Sequence, residues 1–217
     1  MRRTIGRPER TDRRAEVRVT LGIIGAGAIG KALAGRLAAG DHTIRLSNRR
    51  GPESLGSLVA ELGPNVTAAT VDDAALCPLV FVAVPWSQLP ATLGRFTDWE
   101  GRIVVDTTNP IEPPHFTVAE LGGRTSSEVF ADLAPGARVI KAFNTLTPAV
   151  LNLEPRQAGG RRVIFFSGDD QSAKLEFSDV LASSGFAGVD LGDLATGGRL
   201  QQFPGGPLPA LNLIKMG

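Results

Sequence analysis

The sequence predicts an α/β fold: an open, mostly parallel sheet wound on both faces by helices, with a small α/β extension at its C-terminal end. Three observations carry this prediction. Apolar runs alternate with helix-compatible stretches through six cycles between residues 18 and 144, the pattern of parallel strands joined by right-handed helical crossovers. Several runs, above all PLVFVAVP at 78–85, are apolar without alternation, as expected of strands covered on both faces. The first run ends in the glycine-rich segment GAGAIG, which opens a helical pattern.

The elements follow in order. RVTLGIIG (18–25) is an apolar strand ending in glycine, and AIGKALAGRLAAG (28–40) is an alanine- and leucine-rich helix that Gly40 can stop. TIRLSN (43–48) is the second strand, ESLGSLVAELG (53–63) a helix closed by glycine, and VTAAT (66–70) a short strand followed by a helical turn in VDDAALC. PLVFVAVP is the next strand, with a helix over about 87–96. RIVVDTTNP (102–110) and ARVIKAFN (137–144) are further strands; between them lie a polar loop, 111–125, and a helix at SSEVFADLAP with Ser126 or Ser127 as its N-cap. The theme then repeats once more: strand 161–169, helix 171–185, strand 186–193. The end is loop-rich, with a helical turn expected after Pro209.

Composition sets the outer limits. The 217 residues suffice for one full domain and a small appendage, and 42% hydrophobic with 21% charged residues is ordinary for a globular protein. The net charge of +1 is unevenly spread: residues 1–18 carry seven arginines against three acids, which leaves a slightly acidic body and no reason to expect nucleic-acid binding. Residues 1–16 read as a disordered basic tail, with a basic arm for an anionic partner or a true start at Val17 or Val19 as alternatives. That tail lacks the apolar stretch of a secretory signal, and no run approaches a membrane span. A single cysteine, Cys77, excludes an internal disulfide and fits a cytoplasmic protein. The expected division is a tail (1–16), a dinucleotide-binding Rossmann-type domain (17–154) and a small C-terminal part (155–217), with Pro155–Gly160 as linker.

The glycine loop carries the first chemistry. Gly25 allows the tight turn after the strand, Gly27 lets the backbone approach a pyrophosphate, and Gly30 lets helix and strand pack closely. With Ala26, Ala28 and Ile29 they form a phosphate-binding loop whose helix start offers free N–H groups. An acid that would hold the ribose hydroxyls of NAD is absent at the end of the second strand. Asn48, Arg49 and Arg50 stand there and can donate to a 2′-phosphate, so NADP is favoured; a solvated basic turn is the alternative. The carboxyl ends of the later strands should complete the site. They read AVPW (Ala83, Val84, Pro85, Trp86), DTTNP (with Thr108 and Asn109) and KAFNT (with Asn144 and Thr145), small or apolar groups for a nicotinamide and amides and hydroxyls as partners.

Acid–base residues are scarce. There is no tyrosine; His42 precedes the second strand and reads as structural, His115 lies in the polar loop, and Cys77 reads as core. No metal-ligand spacing occurs. Lys141 is the one easy candidate for the proton acceptor an alcohol dehydrogenase needs. Hydride transfer between two redox cofactors needs no such group, since stacking and distance suffice, so no catalytic side chain is assigned.

Taken together, GIIGAGAIG, LSNRRGPESL, AVPW, VDTTNP, GGRTSSE, VIKAFNT and LQQFPGGPL resemble the NADPH-dependent coenzyme F420 reductases, from about Val19 to the C-terminus. The resemblance implies a commonly dimeric enzyme that moves a hydride between NADP(H) and the deazaflavin F420. It maps the phosphate-binding segment onto Asn48, Arg49 and Arg50, and the deazaflavin cleft onto the AVPW and KAFNT strand ends and Phe203, Pro204, Gly205, Gly206 and Pro207. Ala26 stands where archaeal members carry threonine. An NADPH reductase with a flavin, quinone or ferric acceptor is the alternative enzyme, and a non-catalytic NADP-sensing regulator the alternative from another class.

Overall fold

The computed structural model describes residues 18–112 and 116–217, so the basic tail and His115 lie outside the described residues. The chain runs β1 (Thr20–Ile24), α1 (Ala28–Ala39), β2 (Thr43–Ser47), α2 (Gly56–Leu62), β3 (Val66–Ala69), α3 (Val71–Ala75), β4 (Leu79–Val82), α4 (Leu89–Leu93) and β5 (Ile103–Asp106). It continues β6 (Ile111–Glu112), β7 (Thr117–Val118), α5 (Ser126–Asp132), β8 (Arg138–Ala142), α6 (Pro148–Leu151), β9 (Arg156–Gln157), β10 (Gly160–Gly168), α7 (Gln171–Ser183), β11 (Ala187–Asp190), α8 (Thr196–Gln201) and β12 (Ile214–Met216). Single 3-10 turns, Pro52–Leu55 and Trp86–Gln88, precede α2 and α4.

The central sheet has the order β11-β10-β8-β5-β4-β1-β2-β3. Six strands, from β3 to β8 in that order, are parallel to their neighbours, the 3-2-1-4-5-6 winding of a Rossmann-type fold. β10 joins antiparallel to β8, and β11 runs parallel to β10, so the C-terminal third extends the same sheet. The chain order reverses between β1 and β4, which makes their carboxyl ends a topological switch point where ligands bind.

Side chains alternate across the central strands into two cores, which explains the unbroken apolar runs. Leu79 and Phe81 of β4 and Ile103 and Val105 of β5 enter one core with Leu33 and Leu37 of α1. Val80, Val82 and Val104 enter the other with Leu89, Leu93, Trp99 and Phe130. On the first face Phe143 meets Phe81, Phe177 and Phe186 with ring centroids 5.8–6.2 Å apart, fastening the central strands to α7.

Three sequence expectations need correction. The N-cap of α5 is Thr125, not Ser126 or Ser127: its Oγ1 accepts from the Glu128 N–H at 3.1 Å and Glu128 Oε2 accepts from the Thr125 N–H at 2.8 Å. Glutamate three residues on selects the threonine among three adjacent hydroxyls. The loop 111–125 contains the hairpin β6–β7. After Pro209 there is only a turn closed by Leu211 N–H on the Leu208 carbonyl, while the helix lies earlier, at α8, and β12 pairs with β10.

Candidate active site

The glycine loop sits at the switch point. Gly25 follows β1 with φ +112°, and a Cβ there would lie 2.2 Å from the Ala83 carbonyl oxygen. A Cβ on Gly30 would fall 1.8 Å from the Gly25 carbonyl oxygen, so the first turn of α1 closes onto the loop only with glycine there. Gly27 differs. It is the N-cap of α1, no side chain caps the helix, no acid occupies its first turn, and a Cβ on Gly27 would meet nothing within 4 Å. A twelve-residue helix thus presents uncapped N–H groups to open space, as a pyrophosphate requires.

Two cavities flank this point and share Gly27, Ala83, Val84 and Pro85 in their walls. The first, about 480 Å³, is walled also by Gly25, Ala26, Asn48, Arg49 and Arg95. Among the described residues, Arg49 and Arg95 are its cations and no acid lines it. Asn48 Oδ1 accepts from the Arg50 N–H at 2.8 Å and shapes the turn, but the Arg50 side chain lines neither cavity. Among the described residues, the side chain of neither Arg49 nor Arg50 has an ion-pair partner.

The second cavity, about 560 Å³, is walled by Ala28, Ile29, Trp86, Thr108, Asn109, Asn144, Thr145 and Phe203 together with Phe116, Leu146, Pro209 and Ala210. Its described lining contains no Asp, Glu, His, Cys, Lys or Arg. Of the segment Phe203–Pro207 only Phe203 reaches it; Pro204, Gly205, Gly206 and Pro207 do not, and Pro209 and Ala210 take that place.

Beneath the second cavity, hydrogen bonds tie the strand ends together. Asp106 and Lys141 are register partners on β5 and β8 and form a fully buried ion pair, Nζ to Oδ2 2.8 Å. Lys141 also donates to the Thr108 carbonyl, and Asp106 Oδ1 accepts from the Thr108 N–H and hydroxyl at 2.8 and 2.7 Å. Lys141 is therefore committed to the sheet and does not line the cavity. Asn109 Nδ2 donates to the Asn144 carbonyl and Asn144 Nδ2 to Asn109 Oδ1, both at 3.0 Å, so these two amides bridge the β5 and β8 ends.

Gln201, which sequence reasoning missed, completes the arrangement from α8. Fully buried, it donates from Nε2 to the Phe165 carbonyl at 3.1 Å and accepts the Ser167 hydroxyl at 2.8 Å, while its own carbonyl accepts from Asn144 Nδ2 at 2.8 Å. This fixes the end of α8 two residues before Phe203. Its signal was the pair Gln201–Gln202, polar residues in a segment otherwise read as loop. The sequence reading also gave no sign of Arg95, because it stands past a helix whose facing side only the fold reveals. His42 and Cys77 lie away from both cavities: His42 is buried between β1 and α7, and burial raises the Cys77 thiol pKa. Among the described residues, no three His, Cys, Asp or Glu side chains group as metal ligands, and no helix is long and apolar enough to cross a membrane.

The chain is similar to several known proteins. The family described as "NADP oxidoreductase coenzyme F420-dependent" matches residues 20–110. A hypothetical protein from Sinorhizobium meliloti shares 45% identity and superposes with a TM-score of 0.86, over 92% of this chain and 96% of that one. A putative F420-dependent NADP reductase from Arthrobacter is 29% identical with TM-score 0.68, over 82% and 86% of the two chains. A reductive aminase from Aspergillus terreus, solved with NADPH and ethyl-5-oxohexanoate, is 25% identical with TM-score 0.60, over 83% and 57%. Rat metalloreductase STEAP3 is 28% identical over 192 residues, 88% of this chain, and the chain spans only 37% of that relative's length.

Proposed function

We propose that this chain, whose residues 20–110 match the family described as "NADP oxidoreductase coenzyme F420-dependent", transfers a hydride between NADP(H) and the deazaflavin F420. The observation that carries this reading is the wall of the 560 Å³ cavity, which joins the glycine loop yet holds no titratable side chain among its described residues. A carbonyl or imine substrate would need a proton donor in reach of the developing charge. A second redox cofactor needs only a flat apolar seat beside the first, and the Ala83–Trp86 segment, Phe203 and Phe116 supply that surface.

The residues divide the work. The N–H groups of α1 and the bare backbone of Gly27 hold the pyrophosphate. Asn48 and Arg49, at the end of β2, receive the 2′-phosphate in the 480 Å³ cavity. Ala83, Val84 and Pro85 form the wall common to both cavities, and Thr108, Asn109, Asn144 and Thr145 floor the second, held by the Asp106–Lys141 pair and Gln201. When bound, the reduced nicotinamide supplies the hydride with its electron pair. In this reading the proton that accompanies reduction of the acceptor is taken from solvent. In this reading residues 155–217 complete the acceptor cleft, and the enzyme is a cytoplasmic homodimer.

A second reading, in which a flavin or ferric acceptor takes the hydride's electrons, has its own support: one relative is a metalloreductase, which favours a metal-ion acceptor. One anaerobic experiment separates the readings. The protein is mixed with NADPH and, in separate arms, F420, FMN or ferric chelate, and nicotinamide absorbance is followed. Oxidation fastest with F420, at a single-turnover rate flat between pH 6 and 8, is expected. Oxidation only with FMN or ferric chelate overturns the F420 reading, and tight NADPH binding without oxidation by any acceptor makes the chain an NADP sensor.

A further inference from the structure

The 480 Å³ cavity contains an arginine that the reading of the β2 end does not use. The sequence places two adjacent cations there, Arg49 and Arg50, but the structure turns only Arg49 into the wall. The second cation lining the cavity comes from a different element, Arg95, two residues beyond α4. Its Nη2 donates to both oxygens of Asp72, each at 2.9 Å. The Nε and Nη1 donors have no partner among the described residues. Asp72 does not line the cavity, so among the described residues its charged lining consists of two arginines and no acid.

A phosphate monoester carries about −1.5 to −2 charges at neutral pH and offers three acceptor oxygens. One guanidinium leaves much of that charge uncompensated, while a second adds positive charge and further donors, and each can donate in a planar fork. Resting on the NADP reading, we infer that Arg95 is the second ligand of the 2′-phosphate and, with Arg49, sets the preference for NADP(H) over NAD(H). Asp72 is a positioning residue. It engages one edge of the Arg95 guanidinium and leaves the other edge for the ligand. Arg50 is outside this pair.

Calorimetric titration with adenosine 2′,5′-bisphosphate and with 5′-AMP isolates the 2′-phosphate without requiring turnover. Arg95→Ala is expected to weaken the bisphosphate about tenfold or more, the value of one charge-assisted hydrogen bond, and 5′-AMP less than threefold. The Asp72→Asn/Arg95→Ala double variant is expected to keep that loss, and Arg50→Ala to leave the ratio of the two affinities within twofold. Equal weakening of both ligands by Arg95→Ala, recovery in the double variant, or a selective loss in Arg50→Ala comparable to that in Arg95→Ala would each overturn the assignment; recovery would trace the loss to the unmasked Asp72 charge. Arg49→Ala serves the premise: a selective loss there upholds the NADP reading whatever Arg95 does, and equal losses remove it.

Discussion

At the residue scale, sequence neighbours and spatial neighbours part company at the site. Arg49 and Arg50 are indistinguishable as letters, yet only Arg49 enters a cavity wall; the turn bonded by Asn48 Oδ1 to the Arg50 N–H separates them. Lys141 shows the same limit. Its position at a strand end made it the natural proton acceptor, but β5 sets Asp106 directly beside it and the pair is closed to the cavity. Removing one partner of a buried pair leaves an uncompensated charge, at a cost of about 3–5 kcal/mol. Lys141→Met is therefore expected to lower Tm by about 6–20 °C for a chain of this size. Asp106→Asn combined with it should recover part of the loss, because the orphaned carboxylate is gone. Thermal unfolding of the three proteins decides the matter; a shift under 2 °C in Lys141→Met would show that the pair carries no such weight.

At the element scale, the glycines of one loop serve two physical ends that the motif alone does not separate. Gly30 is required by packing, since its Cβ would collide with the Gly25 carbonyl oxygen. Gly27 is required by nothing among the described residues, since its Cβ would stand in open space at an ordinary φ of −75°. Gly30→Ala is thus expected to destabilise by about 1–3 kcal/mol or more. Gly27→Ala should cost below about 1 kcal/mol as a poorer N-cap while weakening NADPH binding at least tenfold. Urea unfolding beside NADPH titration tests the pair, and a Gly27→Ala protein that binds NADPH normally would remove the pyrophosphate from this helix start. The parallel strands and long helices were legible because burial on both faces writes continuous apolar runs and helices write their own period. The α8 helix was not, because Gly197 and Gly198 argue against helix by propensity. Close packing overrides propensity there: a Cβ on Gly197 would lie 2.6 Å from the Ser167 Cβ, and one on Gly198 2.9 Å from the Ser127 hydroxyl. The hairpin β6–β7 was missed for a related reason, since two-residue strands leave no period to read.

At the scale of the whole molecule, the described chain is held together across its sequence by contacts between its first and last thirds. His42 is one of them. Fully buried, its Nδ1 accepts from the Val19 N–H at 3.3 Å, and its Nε2 lies 2.9 Å from the Ser183 hydroxyl at the end of α7. The neutral tautomer with the proton on Nε2 satisfies both contacts, since Nε2–H donates to Ser183, which in turn donates to the Asp179 carbonyl at 2.8 Å. A proton on Nδ1 would set two donors face to face at Val19. Burial accordingly holds the His42 pKa below its ordinary 6.5, against smaller opposing effects of the Val180 backbone and the Asp41 charge. The sign of the linkage follows: between the depressed folded value and 6.5 the unfolded chain binds the extra proton, so stability contributed by neutral His42 is full above 6.5 and is lost as pH falls below it. Urea unfolding at pH 8 and pH 5.5 should show a fall in stability that is smaller in His42→Gln, which keeps hydrogen-bonding atoms and does not titrate. The same acid-induced loss in both proteins would place the sensitivity elsewhere in the chain. Because His42 touches neither cavity, the variant is also expected to leave NADPH affinity at pH 8 unchanged, which separates the joining of the two ends of the chain from the chemistry between them.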